Sequence, residues 1–259
     1  MADALVILEK KGGVATVTLN SPGNRNALSR GLVSGLRDAL DTALADGAVR
    51  VIVLTGAGPV FCAGADLKEQ LATNEDGGAG RASDVPTVLS TIWHSPKPVV
   101  CRVNGLARAG GLGVLAACDI VIGVEGATFG ASEVRIGLAP AVITTTILPR
   151  TGAAAALPFF LTGEPISAAE ALRIGLLDVV VPPAELDSTV ERYCSWLLKG
   201  APGAHAAVKQ ITREVAPVTF DEALPHMARR SAALFASEEA REGMRSFVER
   251  RPPAWTPRE

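Results

Sequence analysis

Two glycine-rich segments, each preceded by a strongly apolar run, constrain the fold of this chain more than any other feature. The first segment, residues 56–67, follows the run 51–55, and the second, residues 104–113, follows the run 99–103. Such a run is typical of a strand buried on both faces, and the small residues after it favour a turn into a helix. N–H groups in the first turn of a helix lack partners within the helix, and the dipole attracts negative charge there. If the two turns face each other, two amides can hold one anionic oxygen.

The composition limits the class of protein and its partners. The 259 residues are 48% hydrophobic and 20% charged, which suits one large globular domain with a smaller appendage. A net charge of -2 gives no general attraction to nucleic acid or to an anionic membrane. The N-terminus lacks a signal-peptide pattern, and the apolar window 112–124 is interrupted by Asp119 and too short to span a bilayer. We therefore expect a cytoplasmic protein without nucleic-acid or membrane partners.

Cysteine and histidine positions give no sign of a metal site. Four cysteines lie in apolar surroundings without metal-type spacing, which predicts buried, reduced thiols. Nothing in the patterns around the three histidines marks one as a base. No metal and no nucleotide redox cofactor is therefore expected.

The order of predicted elements indicates repeated strand–strand–helix units. Runs 5–8 and 14–19 predict a hairpin, and Ser29 is a candidate N-cap for a helix that runs to about Asp46. The polar, glycine-rich stretch 73–83 is predicted to be a mobile loop for substrate entry. From Ala168 onward the chain is predicted to be mostly helical. Such repeats favour a stacked spiral of small sheets over one open doubly wound sheet.

Four ordered blocks resemble the crotonase superfamily, the enoyl-CoA hydratase/isomerase family. They are residues 61–67, 104–111, 129–137 and 242–252, in family order and spacing. The run 133–143 further resembles bacterial hydratases related to methylglutaconyl-CoA hydratases. The resemblance implies an α/β fold, with a crotonase-like spiral of ββα units in residues 1–197 and a C-terminal helical trimerisation region in residues 198–259. It also implies a homotrimer or homohexamer.

The resemblance assigns the catalytic groups. The oxyanion-holding amides fall on Ala65 and Gly110, and Glu133 falls on the position of a catalytic glutamate. An acyl-CoA thioester is the implied substrate, with coenzyme A part of it and no separate cofactor. Apolar neighbours are expected to raise the pKa of Glu133 toward the range useful for proton transfer. The alternative is a surface glutamate paired with Arg135.

Further residues are implicated in binding coenzyme A by the same resemblance. The family grips the adenine and pantetheine with backbone around the first turn. Possible phosphate contacts are Arg25, Lys68 and, from a neighbouring subunit, Arg250 or Arg251, although a solvated surface charge is the favoured interpretation for each of them. The positions implicated in substrate binding are Asn26, Ala27, Leu28, Ala63, Asp66, Leu67, Lys68 and Gly111.

Two positions depart from the family pattern. Gly113 stands where the two-glutamate hydratases carry their other glutamate, and glycine can neither hold a water molecule nor move a proton. Arg108 replaces an apolar or small residue; it could reach a substrate carboxylate, but pairing with an acid at a subunit contact is favoured. The leading hypothesis is hydration of a 2-enoyl-CoA. The alternatives are isomerisation of 3-enoyl to 2-enoyl thioesters by Glu133 alone, and a non-catalytic acyl-CoA-binding protein.

Overall fold

The computed structural model describes residues 4–75, 84–216 and 218–256. Within these ranges the strands are β1 (Val6–Lys11), β2 (Val14–Leu19), β3 (Val51–Gly56), β4 (Val60–Cys62), β5 (Val99–Val103), β6 (Leu106–Arg108), β7 (Ile120–Val124), β8 (Thr128–Gly130), β9 (Ile166–Ser167) and β10 (Val179–Val181). The α-helices are α1 (Arg30–Ala45), α2 (Leu67–Glu75), α3 (Val85–His94), α4 (Gly110–Ala117), α5 (Ala141–Thr151), α6 (Ala153–Thr162), α7 (Ala168–Arg173), α8 (Leu186–Lys199), α9 (Pro202–Val215), α10 (Phe220–Phe235) and α11 (Glu238–Val248). Short 3-10 helices cover Pro22–Asn24, Glu133–Ile136 and Pro183–Glu185.

The strands form two sheets that alternate along the chain. The larger sheet has the order β1-β2-β3-β5-β7-β10, antiparallel between β1 and β2 and parallel thereafter. The smaller sheet has the order β4-β6-β8-β9. In each successive unit (β3-β4, β5-β6 and β7-β8) the first strand joins the large sheet, the second joins the small one, and a helix follows. This arrangement confirms the predicted spiral of ββα units.

The core lies where these units stack, and the hydrophobic pattern explains it. All six residues of β3 are buried, as expected for a strand covered on both faces. Helix α1 buries one face through Leu32, Leu36 and Leu40. Its N-cap is Ser29, whose hydroxyl accepts the Leu32 N–H at 3.3 Å, as predicted.

The structure differs from the sequence-based expectations in several segments. Residues 73–75 of the predicted mobile loop form the last turn of α2, and residues 76–83 lie outside the described ranges. The predicted boundary between residues 197 and 198 lies in the last turn of α8, and the division into a spiral core and a trimerisation region stays a prediction. Helices α5 and α6 and strand β10 have no counterpart in the sequence-based predictions. In the described part of the chain, no helix is long and apolar enough to cross a membrane.

Candidate active site

The first glycine-rich turn is held in place by the loop that precedes α1. After the buried strand β4, the Ala63 N–H donates to the Arg25 carbonyl at 3.0 Å. The Leu28 N–H then donates to the Gly64 carbonyl at 2.7 Å, and Leu28 and Ala65 form a parallel bridge. These bonds fix the backbone that leads into Ala65.

The second turn contacts the first directly, and glycine is what permits the contact. Gly64 has φ +88°, and a Cβ there would lie 2.9 Å from both the Arg108 carbonyl oxygen and the Ala109 Cβ. A Cβ on Gly111 would lie 2.8 Å from the Cβ of Cys62. Real Cβ atoms do not approach this closely, so larger residues at these positions would separate the two turns. The structure therefore brings the two glycine-rich segments together.

Ala109 carries backbone strain at the start of α4. Its φ of 45° and ψ of -120° lie in a region that residues other than glycine rarely adopt. Such strain costs on the order of 1–3 kcal/mol and is retained only where the surroundings impose it. One such constraint is the bond from the Ala109 N–H to the Gly130 carbonyl, at 2.9 Å. The constrained peptide sets the direction of the next amide, that of Gly110.

The amides of Ala65 and Gly110 have no protein acceptor within the described residues. Ala65 lies outside the named strands and helices, and its N–H makes no hydrogen bond to this part of the chain. Gly110 is the first residue of α4, so its N–H has no helical carbonyl one turn earlier. Both residues line the same cavity, whose volume is about 520 Å³. Two free amide donors therefore border one cavity.

Glu133 supplies a carboxylate to this cavity. It is the first residue of the 3-10 helix Glu133–Ile136, which begins just beyond the end of β8. The carboxylate is half-buried, its Oε2 atom is fully buried, and no hydrogen-bond partner for Oε2 lies in the described ranges. Burial raises the pKa of Glu133 above its ordinary value of 4.5. Arg135 forms its ion pair with Glu164, so the alternative of a Glu133–Arg135 surface pair is not what the structure shows.

The other predicted binding residues divide into two groups. Leu28, Ala63 and Leu67 line the cavity. Asn26 is fully buried and does not line it: its side chain accepts the Ser21 N–H and donates to the carbonyls of Ala57 and Val60. Ala27 is buried, Asp66 caps α2, Lys68 is exposed, and Gly111 packs against Cys62.

Of the possible phosphate contacts, Arg25 is exposed and Arg251 is paired with Glu242 and Glu249.

Several cavity residues were not predicted from the sequence. Ser132 and Gln70 add polar side chains, and Pro86, Leu138 and Ile143 add apolar walls. Ser132 is adjacent to Glu133 in the sequence, so the motif could have indicated it. Ile143 and Pro86 belong to helices whose packing against α4 no local pattern reveals.

The space beside Gly113 is filled by apolar side chains. A Cβ on this glycine would lie 2.6 Å from Ile143 Cγ2 and 3.4 Å from Leu89 Cδ1. The position that the sequence resemblance aligns with the second glutamate of two-glutamate hydratases is therefore closed by apolar side chains. Glu133 is the one carboxylate among the described residues that line this cavity.

Arg108 lines the cavity, but its guanidinium is engaged with the neighbouring strand. It donates to the Thr128 carbonyl at 2.6 Å, to Thr128 Oγ1 at 2.9 Å and to the Ala107 carbonyl at 2.9 Å. Desolvation lowers its pKa, and no acid in the described part of the chain pairs with it. A subunit contact with an acid stays a prediction.

Comparison with known proteins shows which family the chain resembles in sequence and in fold. Residues 9–258 match the sequence profile of the family described as enoyl-CoA hydratase/isomerase. The chain is 35% identical to the short-chain-enoyl-CoA hydratase of Clostridium acetobutylicum, covering 95% of each protein. It is 36% identical to the (E)-benzylidenesuccinyl-CoA hydratase of Thauera aromatica, covering 96% of this chain and 98% of that one.

Structural comparison identifies the architecture as the crotonase fold. A crystal structure of an enoyl-CoA hydratase from Shewanella pealeana superposes with a TM-score of 0.91 at 29% identity, covering 97% of this chain and 96% of that one. The fold and these relatives define the chain as an enzyme of the crotonase type. The chain belongs to the enoyl-CoA hydratase/isomerase family of the crotonase superfamily.

Proposed function

We propose that the protein hydrates 2-enoyl-CoA thioesters, with Glu133 as its single acid–base group. The thioester oxygen accepts hydrogen bonds from the Ala65 and Gly110 amides. Ionised Glu133 removes a proton from water as the water oxygen bonds to C3, and the C2–C3 π electrons move toward the thioester as an enolate. The new carboxylic acid then returns the proton to C2, which regenerates the carboxylate. Water is added with no other reactant consumed.

The juxtaposition that carries this proposal is one half-buried carboxylate and two amides without an acceptor in the described part of the chain, all at a single apolar cavity. Charge develops on the thioester oxygen, and fixed amide dipoles stabilise it without reorganising. The partial burial of Glu133 strengthens it as a base, because a raised pKa favours proton uptake. The names of the relatives support hydration as the reaction.

Isomerisation of 3-enoyl to 2-enoyl thioesters is the second candidate, and Gly113 favours it. Moving a proton from C2 to C4 needs one base and no bound water. Ile143 and Leu89 leave no room beside Gly113 for a second carboxylate that would hold that water. Among the described lining residues, Ser132 and Gln70 are the polar side chains left to position water for hydration, because Arg108 is engaged with Thr128.

Ultraviolet absorbance of the conjugated thioester separates the two reactions. A hydratase consumes the signal of a 2-enoyl-CoA, whereas an isomerase generates it from a 3-enoyl-CoA. We expect loss of absorbance with 2-enoyl-CoAs of several chain lengths. If every 2-enoyl-CoA remains unchanged while 3-enoyl-CoAs gain absorbance, the isomerase assignment replaces the hydratase assignment.

The pH dependence of kcat/KM is expected to report Glu133. Since the first step needs the carboxylate, the rate should fall as pH decreases through the pKa of this residue. Burial raises that pKa, so the midpoint of the acid limb should lie above 4.5. Because the cause is desolvation and not a nearby charge, added salt should leave the midpoint in place. A midpoint at or below 4.5 would contradict the assignment of Glu133 as the base.

The proposal includes assembly as a trimer or a dimer of trimers. Helices α10 and α11 expose large apolar side chains: Phe220 is 73% exposed, Phe247 85% and Val248 80%. Apolar exposure of this extent is typical of a surface that another subunit covers. Sedimentation equilibrium should give three or six times the 26.7 kDa chain mass. A monomer at micromolar concentration would contradict this part of the proposal.

A further inference from the structure

A second cavity adjoins the one that contains Glu133. Its volume is about 370 Å³, and it lies between α3 and α5, which both pack against α4. Pro86 on α3 and Val142 on α5 line both cavities, so these two residues form the boundary between them. Val142 is 44% exposed, which leaves its side chain free to change rotamer.

Gly113 lies beside one apolar side chain from the lining of each cavity. Ile143, which lines the first cavity, and Leu89, which lines the second, are the two side chains that a Cβ on Gly113 would contact. A glutamate at this position would place a charge beside the passage from one cavity to the other. The glycine instead lets two aliphatic side chains approach α4.

The lining of the second cavity suits an apolar chain with solvent at its far end. On the α3 side the apolar residues that line it are Pro86, Leu89 and Trp93. Ser90, His94 and Thr145 are exposed and provide polar groups near solvent. No carboxylate, lysine or arginine is among the described residues that line it, so nothing there selects a charged ligand.

We propose that the second cavity is an acyl-chain subsite, so that the protein favours thioesters of extended aliphatic acyl groups over four-carbon ones. This inference rests on the proposed acyl-CoA function. The thioester end of the substrate meets Ala65 and Gly110, and the chain passes Val142 into the cleft between α3 and α5. Each methylene moved from water into such a site strengthens binding by about fourfold. A chain that fills part of the cleft should therefore bind at least roughly 50-fold more tightly than butanoyl-CoA.

Binding of saturated acyl-CoAs tests the subsite independently of turnover, because these ligands have no double bond to react. We would measure Kd for butanoyl-CoA and dodecanoyl-CoA by calorimetry, with dodecanoyl-CoA below its critical micelle concentration. Two variants would block the second cavity from opposite walls: Ser90→Trp on α3 and Thr145→Trp on α5. Thr87→Trp is the matched control, because Thr87 is exposed on the same helix as Ser90 and lines neither cavity.

The parent and Thr87→Trp should prefer dodecanoyl-CoA, and both blocking variants should lose that preference while keeping their affinity for butanoyl-CoA. An equal affinity of the parent for both ligands would overturn the inference. Retention of the preference in both blocking variants would also overturn it, since the chain would then lie elsewhere. Failure of the proposed reaction is recognised separately, as normal binding of these ligands without turnover of any 2-enoyl-CoA.

Discussion

Replacement of Glu133 by glutamine is expected to lower kcat by about 10²–10⁴-fold, the usual contribution of a general acid–base group. Glutamine has the same shape but cannot accept a proton from water. The affinity for a saturated acyl-CoA should change little, because the amides that hold the thioester oxygen are untouched. Stopped-flow or steady-state absorbance with a 2-enoyl-CoA measures the loss, and calorimetry measures the affinity.

The same variant should fold at least as stably as the parent at neutral pH. The pKa of Glu133 is raised in the folded protein, so the ionised carboxylate is less favourable there than in the unfolded chain. Replacing the carboxylate by an amide removes this unfavourable contribution to the free energy of folding, which is present at pH values above the raised pKa. Glu164→Gln is the matched control, since Glu164 is exposed and pairs with Arg135 away from the cavity. Unchanged kcat in Glu133→Gln would remove Glu133 from the mechanism.

Deletion of the Ala65 amide donor is expected to lower kcat/KM by about 10²–10³-fold. The substitution Ala65→Pro removes one N–H, and the side chain of residue 65 is not required for the proposed chemistry. The Gly64 carbonyl, which accepts the Leu28 N–H at 2.7 Å, remains available after the change. Turnover of a 2-enoyl-CoA measures the effect.

Ala65→Gly is the control for this experiment, because it removes the methyl group and keeps the donor. It should retain activity within a few-fold of the parent. A circular dichroism melting curve checks that Ala65→Pro is folded. If the folded proline variant turns over at the parent rate, the Ala65 amide does not stabilise the oxyanion.

The comparison of Glu133 with Gly113 shows why one position was easier to interpret from sequence than the other. The apolar neighbours of Glu133 predicted a raised pKa, and its buried, unpartnered Oε2 accounts for that shift. The sequence showed that Gly113 stands where a carboxylate is missing. It could not show which side chains fill the space beside this glycine. Ile143 lies 30 positions further along the chain, and only the packing of α5 on α4 brings it there.

Local sequence signals were sufficient to predict those elements whose structure is decided by hydrophobic periodicity or turn residues. The buried strand β3, the capped helix α1 and the opening of α4 at Gly110 all follow the predicted positions. Helices α5 and α6 were missed. Each contains a proline, and their apolar residues are not confined to one face, so their stability depends on contacts with other elements.

The sequence by itself determined the two glycine-rich turns, the repeated ββα units and the acidic residue after β8, because each depends on neighbouring residues. The tertiary structure alone decided that Gly64 contacts Ala109, that Asn26 is used to hold a loop, and that a second cavity lies between α3 and α5. Those facts depend on the distances between elements far apart in the chain. Such distances are set by side-chain packing of the whole core, which no single segment encodes.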